Sequence, residues 1–208
     1  MKITNPLDKI LDNESKIKVL RFLFKTNAEW NGRQIAKEIG VSPVTTHKAL
    51  HDLNKEGVLL LRNMGKTHVY TLNQGNFTVS NMLKPLFVSE SRLLDYILGI
   101  IRKKVASSII KSDILSVALF GSVSARKDNA ASDIDLIVIV KDIKTKSVAE
   151  LLFEAIDKRI SKEFGNTISA YINTEVEFKA KYKKGIAVTR SIIKENRLIY
   201  GKLIERLL

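Results

Sequence analysis

The sequence predicts an α+β protein with two domains, and three observations support that fold class. Apolar residues at helical spacing, interrupted by capping and turn residues, dominate residues 1–75 and end in two short extended segments. Two apolar runs, Val117–Phe120 and Leu136–Val140, lie between amphipathic segments in the second half. At 208 residues, 45% of them hydrophobic, the chain is long enough to form two cores. We therefore expect a first domain at 1–75, a connector at 76–90 and a second domain at 91–208.

Three helices are predicted in the first domain, each from its capping residues. Asn13 and Ser15 can cap a helix whose apolar residues recur at helical spacing. The segment Arg33–Ile39 is amphipathic and is followed by a glycine that ends it. The pair Ser42–Pro43 suits the N-cap and the first turn of a third helix, which ends near Gly57.

A pair of extended segments follows the third helix and is predicted to form a wing. The segments are Val58–Leu61 and Thr67–Leu72, joined by a basic turn. Two helices joined by a glycine turn and followed by such a pair describe a winged helix-turn-helix. The pattern resembles the winged-helix domains of bacterial and archaeal transcription regulators. By this resemblance the second helix of the motif would enter the major groove of double-stranded DNA, and the wing would contact phosphates or the minor groove.

The candidate DNA-binding residues lie on the outward face of that helix and on the wing. They are Val44, Thr45, His47, Lys48, Arg62 and Lys66. Winged helices also serve as protein-docking modules, and this alternative stays open. The three histidines of the chain show no spacing that indicates a metal site, so we expect them at the surface or facing DNA.

Charge and composition restrict the partners and the compartment. The formal net charge is +13 and the sequence pI is about 9.8, which favours a polyanion, nucleic acid before membrane. The excess of positive charge is spread over the chain. Residues 1–75 hold 12 basic and 7 acidic residues, and residues 76–208 hold 23 basic and 15 acidic residues. The chain has no cysteine, which excludes disulfides and thiolate metal sites. The N-terminus lacks the apolar core of a signal peptide, and we expect a cytoplasmic protein without a membrane partner.

The stretch 116–140 carries the candidate chemistry. One apolar run ends at Gly121 and Ser122, and two aspartates one residue apart, Asp133 and Asp135, lead into the next run. Glycine lets the backbone approach a ligand closely, and the serine can cap a following helix or offer its hydroxyl to a phosphate. On a strand, residues i and i+2 point the same way, so both carboxylates can hold Mg²⁺ against a nucleoside triphosphate. A solvated strand edge is the alternative.

The order Gly-Ser, a gap, then Ser-Asp-Ile-Asp and aliphatic residues resembles the signature of polymerase-β-type nucleotidyltransferases, especially their minimal domains. The matching residues are Gly121, Ser122, Ser132, Asp133 and Asp135. The resemblance implies a small mixed-sheet domain with flanking helices that uses Mg²⁺ and a nucleoside triphosphate, ATP being the first candidate. It implies that the glycine and the serines bind the nucleotide, and that the two aspartates ligate the metal and act in catalysis.

The chain departs from this family pattern at two places. Relatives carry a basic residue three positions after the serine, where this chain has Ala125; Arg126, one position later, is the candidate for neutralising phosphate charge. Relatives also carry a third carboxylate on the next strand, and the segment Thr167–Asn173 contains none. Glu175 and Glu177 follow directly, either as substitutes or as ordinary acids in the first turn of a helix, where the helix dipole favours them.

Helices are predicted for most of the remaining sequence. Ser89–Ile110 carries a continuous apolar stripe and is expected to pack on the sheet, with a dimer contact as the alternative. Ser147–Phe164 is amphipathic, and Ile186–Leu207 is expected to form one or two closing helices.

Two functions stay open from the sequence. The first is Mg²⁺-dependent transfer of a nucleoside monophosphate to a hydroxyl on a protein, an RNA end or a small molecule, by a protein that also binds DNA. The second, motivated by the missing third carboxylate, is a catalytically weak or inactive transcription regulator whose nucleotidyltransferase-like domain binds nucleotide or mediates a homodimer.

Overall fold

The computed structural model describes residues 3–125, 127 and 132–208 of the chain. They divide into two compact units, Met1–Leu93 and Leu94–Leu208, each with its own hydrophobic core. Of the helices formed by these residues, none has the length and apolar character needed to cross a lipid bilayer.

The described residues of the first unit form four α-helices, a short 3-10 helix (Pro6–Lys9) and a three-stranded sheet. In chain order its elements are α1 (Glu14–Thr26), β1 (Trp30–Asn31), α2 (Gly32–Ile39), α3 (Pro43–Lys55), β2 (Leu59–Met64), β3 (Thr67–Leu72) and α4 (Lys84–Ser91). The predicted caps form, because the side chains of Asn13 and Ser42 accept hydrogen bonds from the backbone N–H of Lys16 and Thr45. Asn31 and Gln34 form a capping box at the start of α2.

The strands of this unit pair antiparallel in the order β1-β3-β2, so that β2 and β3 form a hairpin. Its two-residue turn is Gly65-Lys66, and Gly65 has a φ of 60°, the left-handed conformation that such turns require. Helix α3 packs against α1 and α2, and its apolar residues Leu50 and Leu53 are fully buried. Three helices followed by this hairpin form a winged helix-turn-helix.

The segment 76–90, predicted as a connector, lies within the first unit. A π-helical turn, Val79–Leu83, continues directly into α4. Val79, Leu83 and Phe87 are spaced four apart, which places them on one helix face, and all three are buried in the core of this unit. Phe87 also stacks on Phe24, with 5.1 Å between the ring centroids. The polar residues that precede this helical segment predicted a linker. The buried apolar face of the segment instead anchors it in the core of the first unit.

The second unit has a four-stranded mixed sheet with helices on both faces. Its elements are α5 (Leu93–Ala106), β4 (Ile114–Leu119), α6 (Gly121–Ser124), β5 (Ile134–Val140), α7 (Ile143–Phe164), β6 (Ile168–Thr174), α8 (Glu175–Lys183), α9 (Ala187–Lys194) and β7 (Arg197–Gly201). The strand order is β6-β5-β4-β7, with β5 and β6 parallel and the other pairs antiparallel. The α+β class with a winged-helix unit and a small mixed-sheet unit is confirmed.

The two faces of this sheet bury different sets of residues. Leu136 and Val138 of β5 belong to the core formed with α5 and α7. Ile137 and Ile139 alternate with them and pack with residues of α8 and α9 on the other face, among them Phe178. Because Asp135 is two residues before Ile137, it belongs to the face covered by α8 and α9.

Strand β7 replaces part of the closing helices predicted over Ile186–Leu207. It pairs with β4 in antiparallel register, with Tyr200 opposite Val117. Its last residue, Gly201, has a φ of 83° and lies so close to β4 that a Cβ would overlap the carbonyl oxygen of Leu115. The strand is short and its partner lies about eighty residues earlier, so no local pattern revealed it.

Candidate active site and nucleic-acid interface

The end of β4 and the start of β5 meet at Gly121 and Asp135. Leu119 of β4 is the partner of Leu136 on β5, and the N–H of Phe120 donates to the carbonyl of Asp135 at 3.0 Å. Gly121 has a φ of 77°, and a Cβ on it would overlap Oδ2 of Asp135. The carboxylate therefore lies directly against the backbone of the turn, and any side chain at this left-handed position would have to displace it.

Helix α6 is a single turn, Gly121–Ser124, that closes over this contact. Its N-cap is Phe120, which makes no side-chain capping bond, and Ser122 lies inside the turn instead of capping it. The carbonyls of Gly121 and Ser122 accept hydrogen bonds from the N–H groups of Ala125 and Lys127, at 3.1 and 2.9 Å. The turn therefore holds the half-buried Ser122 beside the start of β5.

Asp133 directly precedes β5, near enough to Asp135 for its charge to raise the pKa of that carboxyl, and it is positioned by the residue before the neighbouring strand. Its Oδ1 accepts a hydrogen bond from the hydroxyl of Thr167, which directly precedes β6. The carbonyl of Thr167 in turn accepts from the N–H of Ile134 at 2.9 Å. The start of β6 thus fixes both the backbone and the carboxylate at the start of β5. Ser132, the residue before, is half-buried.

The two carboxylates differ in their surroundings. Asp133 is exposed, whereas Asp135 is half-buried. Burial raises the pKa of Asp135 above its ordinary value, and the neighbouring Asp133 carboxylate raises this pKa further. Two like charges, one of them desolvated, are unfavourable alone and would be relieved by a cation. The donor set of carboxylate oxygens beside a glycine backbone fits Mg²⁺, which takes oxygen ligands and shares them with phosphates.

The surface of the first unit presents the predicted DNA-binding helix face. Val44, Thr45, His47 and Lys48 of α3 are exposed while Thr46 is fully buried, which agrees with the predicted orientation. The side chain of Thr45 also contacts the Ser42 hydroxyl, with 2.8 Å between their oxygens.

The wing contributes two basic residues whose environments differ. The exposed Lys66 has no ion-pair partner in the described part of the chain, whereas Arg62 donates to Glu29 at 2.9 Å. Lys66 lines a groove of about 460 Å³ together with Arg33, His47 and His68. Arg33 was not predicted, because only the fold brings the start of α2 beside α3 and the wing. Four side chains from three elements thus make one basic groove.

Residues 103–204 match the sequence model of the family described as Polymerase beta, Nucleotidyltransferase. The second unit carries this nucleotidyltransferase domain. No curated protein matches the chain in a sequence comparison.

Solved structures of winged-helix regulators are similar to the N-terminal part of the chain. Reduced HlyU from Vibrio cholerae is 23% identical with a TM-score of 0.35, covering 42% of this chain and 84% of its own. The transcriptional repressor BigR from Xylella fastidiosa is 19% identical with a TM-score of 0.35, covering 40% and 81%. NolR from Sinorhizobium fredii is 17% identical with a TM-score of 0.34, covering 42% and 80%. With scores this low, the winged-helix assignment rests on the element order and strand pairing of the first unit itself.

The nucleotidyltransferase domain has a hydroxyl at the position on β6 where the family pattern predicts a third carboxylate. Ser169 of β6 is the partner of Asp135 across the parallel pair β5–β6, and it is exposed. The other residues on that face of β6 are Tyr171 and Asn173. Within the described residues, no group of three or more histidines and acids is arranged to hold a metal. The domain therefore offers two carboxylates and the hydroxyls of Thr167 and Ser169.

The two acids that follow β6, Glu175 and Glu177, stabilise the first turn of α8. Glu177 closes a capping box with Thr174 and binds Lys146 at 2.9 Å, and Glu175 binds Lys179 at 2.7 Å. The hydrogen bond from the Thr174 N–H, and then Lys146, lower the pKa of Glu177. Thr174 pairs with the last residue of β5, at the opposite end of the strand from Asp135. These glutamates are thus first-turn helix acids and not substitutes for the third carboxylate.

One predicted phosphate-binding residue, Arg126, lies outside the described residues, while its neighbour Lys127 is exposed.

Proposed function

We propose that this protein binds double-stranded DNA through its first unit and transfers a nucleoside monophosphate from a nucleoside triphosphate, ATP first among them, to a hydroxyl acceptor. The contact between the Gly121 backbone and the Asp135 carboxylate is the observation that supports the transfer most strongly. It puts an open backbone turn beside carboxylate oxygens, an arrangement suited to a phosphate chain and its metal ion.

Each residue of the site has a proposed role. The turn at Gly121 and Ser122, together with Ser132, would bind the phosphates. Asp133 and Asp135 would hold Mg²⁺, which when bound neutralises phosphate charge during phosphoryl-type transfer. The acceptor oxygen forms a bond to the α-phosphorus and its proton passes to water. The bond between the α-phosphorus and the bridging oxygen breaks, and pyrophosphate leaves with that oxygen.

Titration of the full chain with nucleotide tests this proposal. Calorimetry with ATP, GTP, CTP and UTP, each with Mg²⁺ and with EDTA, should show binding that requires the metal. The double variant Asp133→Ala with Asp135→Ala should abolish it. The matched double variant Glu175→Ala with Glu177→Ala removes the same charge at the same spacing and should retain it. Binding that is equal with EDTA, or retained without both aspartates, would refute the assignment.

Turnover is measured separately from binding. Pyrophosphate release and incorporation of α-³²P label should both appear with wild-type protein and acceptor, and both should be lost in the aspartate double variant.

A transcription regulator without turnover is the second candidate, and Ser169 favours it because this hydroxyl takes the place of an acid opposite Asp135. It predicts Mg²⁺-dependent nucleotide binding with no pyrophosphate release, and a DNA affinity that changes when nucleotide is added. Pyrophosphate release at a steady rate would exclude it.

The first unit is proposed to bind DNA through the exposed face of α3, which includes Lys48, and the adjoining groove that contains His47 and Lys66. Lys48→Gln with Lys66→Gln should weaken duplex binding and reduce the slope of log K against log salt by about 0.9 for each lost phosphate contact. The control Lys9→Gln with Lys25→Gln removes two exposed lysines elsewhere in this unit and should leave the slope unchanged. Equal slopes for the two variants would reject this face.

A homodimer is expected if the protein reads paired half-sites, as helix-turn-helix proteins do. Light scattering on the free protein and on its DNA complex measures this. A monomer bound alone to DNA would rule out the dimer.

A further inference from the structure

Two of the three histidines of the chain line the basic groove of the first unit. The three are His47, His51 and His68. His47 comes from α3 and His68 from β3, and both are exposed and line the groove. His51 is exposed one turn further along α3 and is not among the residues that line it. The fold thus brings two titratable side chains from different elements into one groove.

The charged groups that surround these two histidines are cations. They are Arg33 of α2, Lys48 of α3 and Lys66 of the wing, with His51 as a further titratable group on α3. Among the residues that the structure describes, no acid lines the groove. Glu29, two residues before the N-cap of α2, is bound to Arg62 at 2.9 Å. Because such surroundings repel a metal ion, the groove favours an anion.

A buried tyrosine also lines the groove. Tyr70 is only 4% exposed, and its ring belongs to the core of the first unit. Tyr70 and His68 are two residues apart on β3, so their side chains point to the same side of the strand. Burial raises the pKa of Tyr70, so its hydroxyl keeps its proton near neutral pH. This hydroxyl makes no hydrogen bond to another described residue, and an acceptor oxygen in the groove would satisfy it.

The start of α2 adds backbone donors to the same groove. Gly32 and Arg33, the first two residues of this helix, line it. The side chain of Asn31 accepts from the N–H of Gln34, but the N–H groups of a first turn have no partner within the helix. A helix start of this kind favours an anion. Cations, a tyrosine hydroxyl and backbone donors together form a site for a phosphate group.

The two histidines make such a site sensitive to pH. Histidine is the side chain that ordinarily changes its charge between about pH 5 and pH 8. An anion beside an imidazole favours the protonated form. A phosphate that enters the groove therefore draws protons onto His47 and His68, and by reciprocity a lower pH favours entry of the phosphate. Each proton that is taken up on binding changes the affinity by about tenfold per pH unit.

We propose that the basic groove holds a backbone phosphate of double-stranded DNA, and that His47 and His68 take up protons as this phosphate enters. Arg33 and the hydroxyl of Tyr70 contact the same phosphate. The protein therefore binds duplex DNA more tightly at pH 6 than at pH 8. A duplex is favoured over a free phosphate ion, because the groove adjoins the exposed face of α3. The inference rests on the proposed DNA binding of the first unit and adds its regulation by pH.

Duplex affinity measured by fluorescence anisotropy at pH 6, 7 and 8, at constant ionic strength, tests the coupling. The affinity of the full-length wild type should rise about tenfold or more from pH 8 to pH 6. His47→Gln with His68→Gln should match the wild type at pH 8, where histidine is neutral, and should lose most of the rise. The control His51→Gln should keep it. A rise that persists in the double variant, or that disappears in His51→Gln, would overturn the proposal.

Nuclear magnetic resonance of the imidazole C–H groups observes the protons directly, because the chain has only three histidines. Single-histidine variants assign the signals. In the duplex complex, the signals of His47 and His68 should reach their protonated positions at a higher pH than in the free protein, whereas His51 should change less. Inorganic phosphate at the same phosphate concentration should leave all three unchanged. The same change with inorganic phosphate would overturn the duplex as the source of the phosphate.

Two further variants test the other contacts of the phosphate. Tyr70→Phe removes the hydroxyl and keeps the ring in the core, and it should lower duplex affinity about tenfold at each pH without lowering Tm. Arg33→Gln should also weaken binding, whereas Lys37→Gln, an exposed lysine one turn further along α2, should not. Wild-type affinity in Tyr70→Phe and Arg33→Gln would overturn the phosphate site in this groove.

Failure of this inference differs from failure of the proposed DNA binding. Duplex binding that responds to salt and to Lys48→Gln with Lys66→Gln, but not to pH, would overturn the proton uptake and leave the DNA binding in place. A wild-type protein that binds no duplex at any of these pH values would refute both.

Discussion

Two pairs of acids with the same spacing occupy different positions in the nucleotidyltransferase domain. Asp133 directly precedes strand β5 and Asp135 is the second residue of that strand, whereas Glu175 and Glu177 begin a helix. In extended backbone two positions apart point to one side, but on a helix they lie on nearly opposite sides. Each glutamate has a lysine partner, and no ion pair joins either aspartate to the described lysines and arginines. The pKa of Asp135 is raised while that of Glu177 is lowered. The same spacing thus produces a stabilising helix cap at the start of α8 and a pair of negative charges without a cationic partner at the start of β5.

The largest expected effect comes from breaking the contact beneath the aspartates. Gly121→Ala should lower metal-dependent nucleotide affinity or turnover about a hundredfold, because the new Cβ must displace the Asp135 carboxylate. Both Gly121→Ala and Gly165→Ala should also lose about 1 kcal/mol of stability from the left-handed backbone. Gly165 has no atom within 4 Å of its would-be Cβ, so its variant is the control and should bind nucleotide normally. Equal binding by both variants would contradict the geometry of the site.

The hydroxyl that positions Asp133 should have the next largest effect. Thr167→Val removes the hydrogen bond to Asp133 and keeps the shape, and loss of such a supporting contact typically weakens metal affinity about 10–100-fold. Thr167→Ser should restore most of the affinity. Manganese binding measured by electron paramagnetic resonance checks both variants, and a Thr167→Ser variant as weak as Thr167→Val would speak against the hydrogen bond.

The raised pKa of Asp135 predicts a stability gain when its charge is removed. Stability from the protonated group is fully present below the unfolded pKa and is lost as pH rises through the higher folded pKa. Asp135→Asn should therefore raise Tm at pH 7, and the gain should disappear in acid below about pH 4. Mg²⁺ at a hundred times its Kd should stabilise the wild type by about 2.7 kcal/mol but not this variant. A lower Tm for Asp135→Asn at pH 7 in EDTA would contradict this.

The smallest expected effect comes from substituting an acid of the first turn of α8. This substitution should lower the stability of the domain, whereas Asp135→Asn should raise it. Glu177→Ala should destabilise the domain by about 1 kcal/mol at pH 7, because it removes one half of the capping box. Since the pKa of Glu177 is lowered, this stability is present above the unfolded pKa and is lost as pH falls through the folded pKa. Urea unfolding at pH 7 and pH 3 measures both, and nucleotide affinity should not change. Loss of nucleotide binding in this variant would indicate that Glu177 belongs to the active site.

Several features of the molecule could be predicted because they depend on neighbouring residues. Asn13 and Ser42 cap their helices through bonds to residues three positions later. The outward face of α3 follows from helical spacing. Thr167, Arg33 and β7 could not be predicted, because each gains its role from a partner distant in sequence. Thr167 contacts Asp133, thirty-four residues earlier.

The sequence by itself determined the fold class and the family of the second unit, through the Gly-Ser turn, the Asp-Ile-Asp strand and the alternation of apolar residues. Only the tertiary structure decided which acids share a site. Strand register placed Asp135 against Gly121 and Ser169, while the start of α8 paired Glu177 with Lys146. The physical reason is that spacing along the chain sets the direction of a side chain, whereas its partners, its burial and its pKa depend on which distant segments pack beside it.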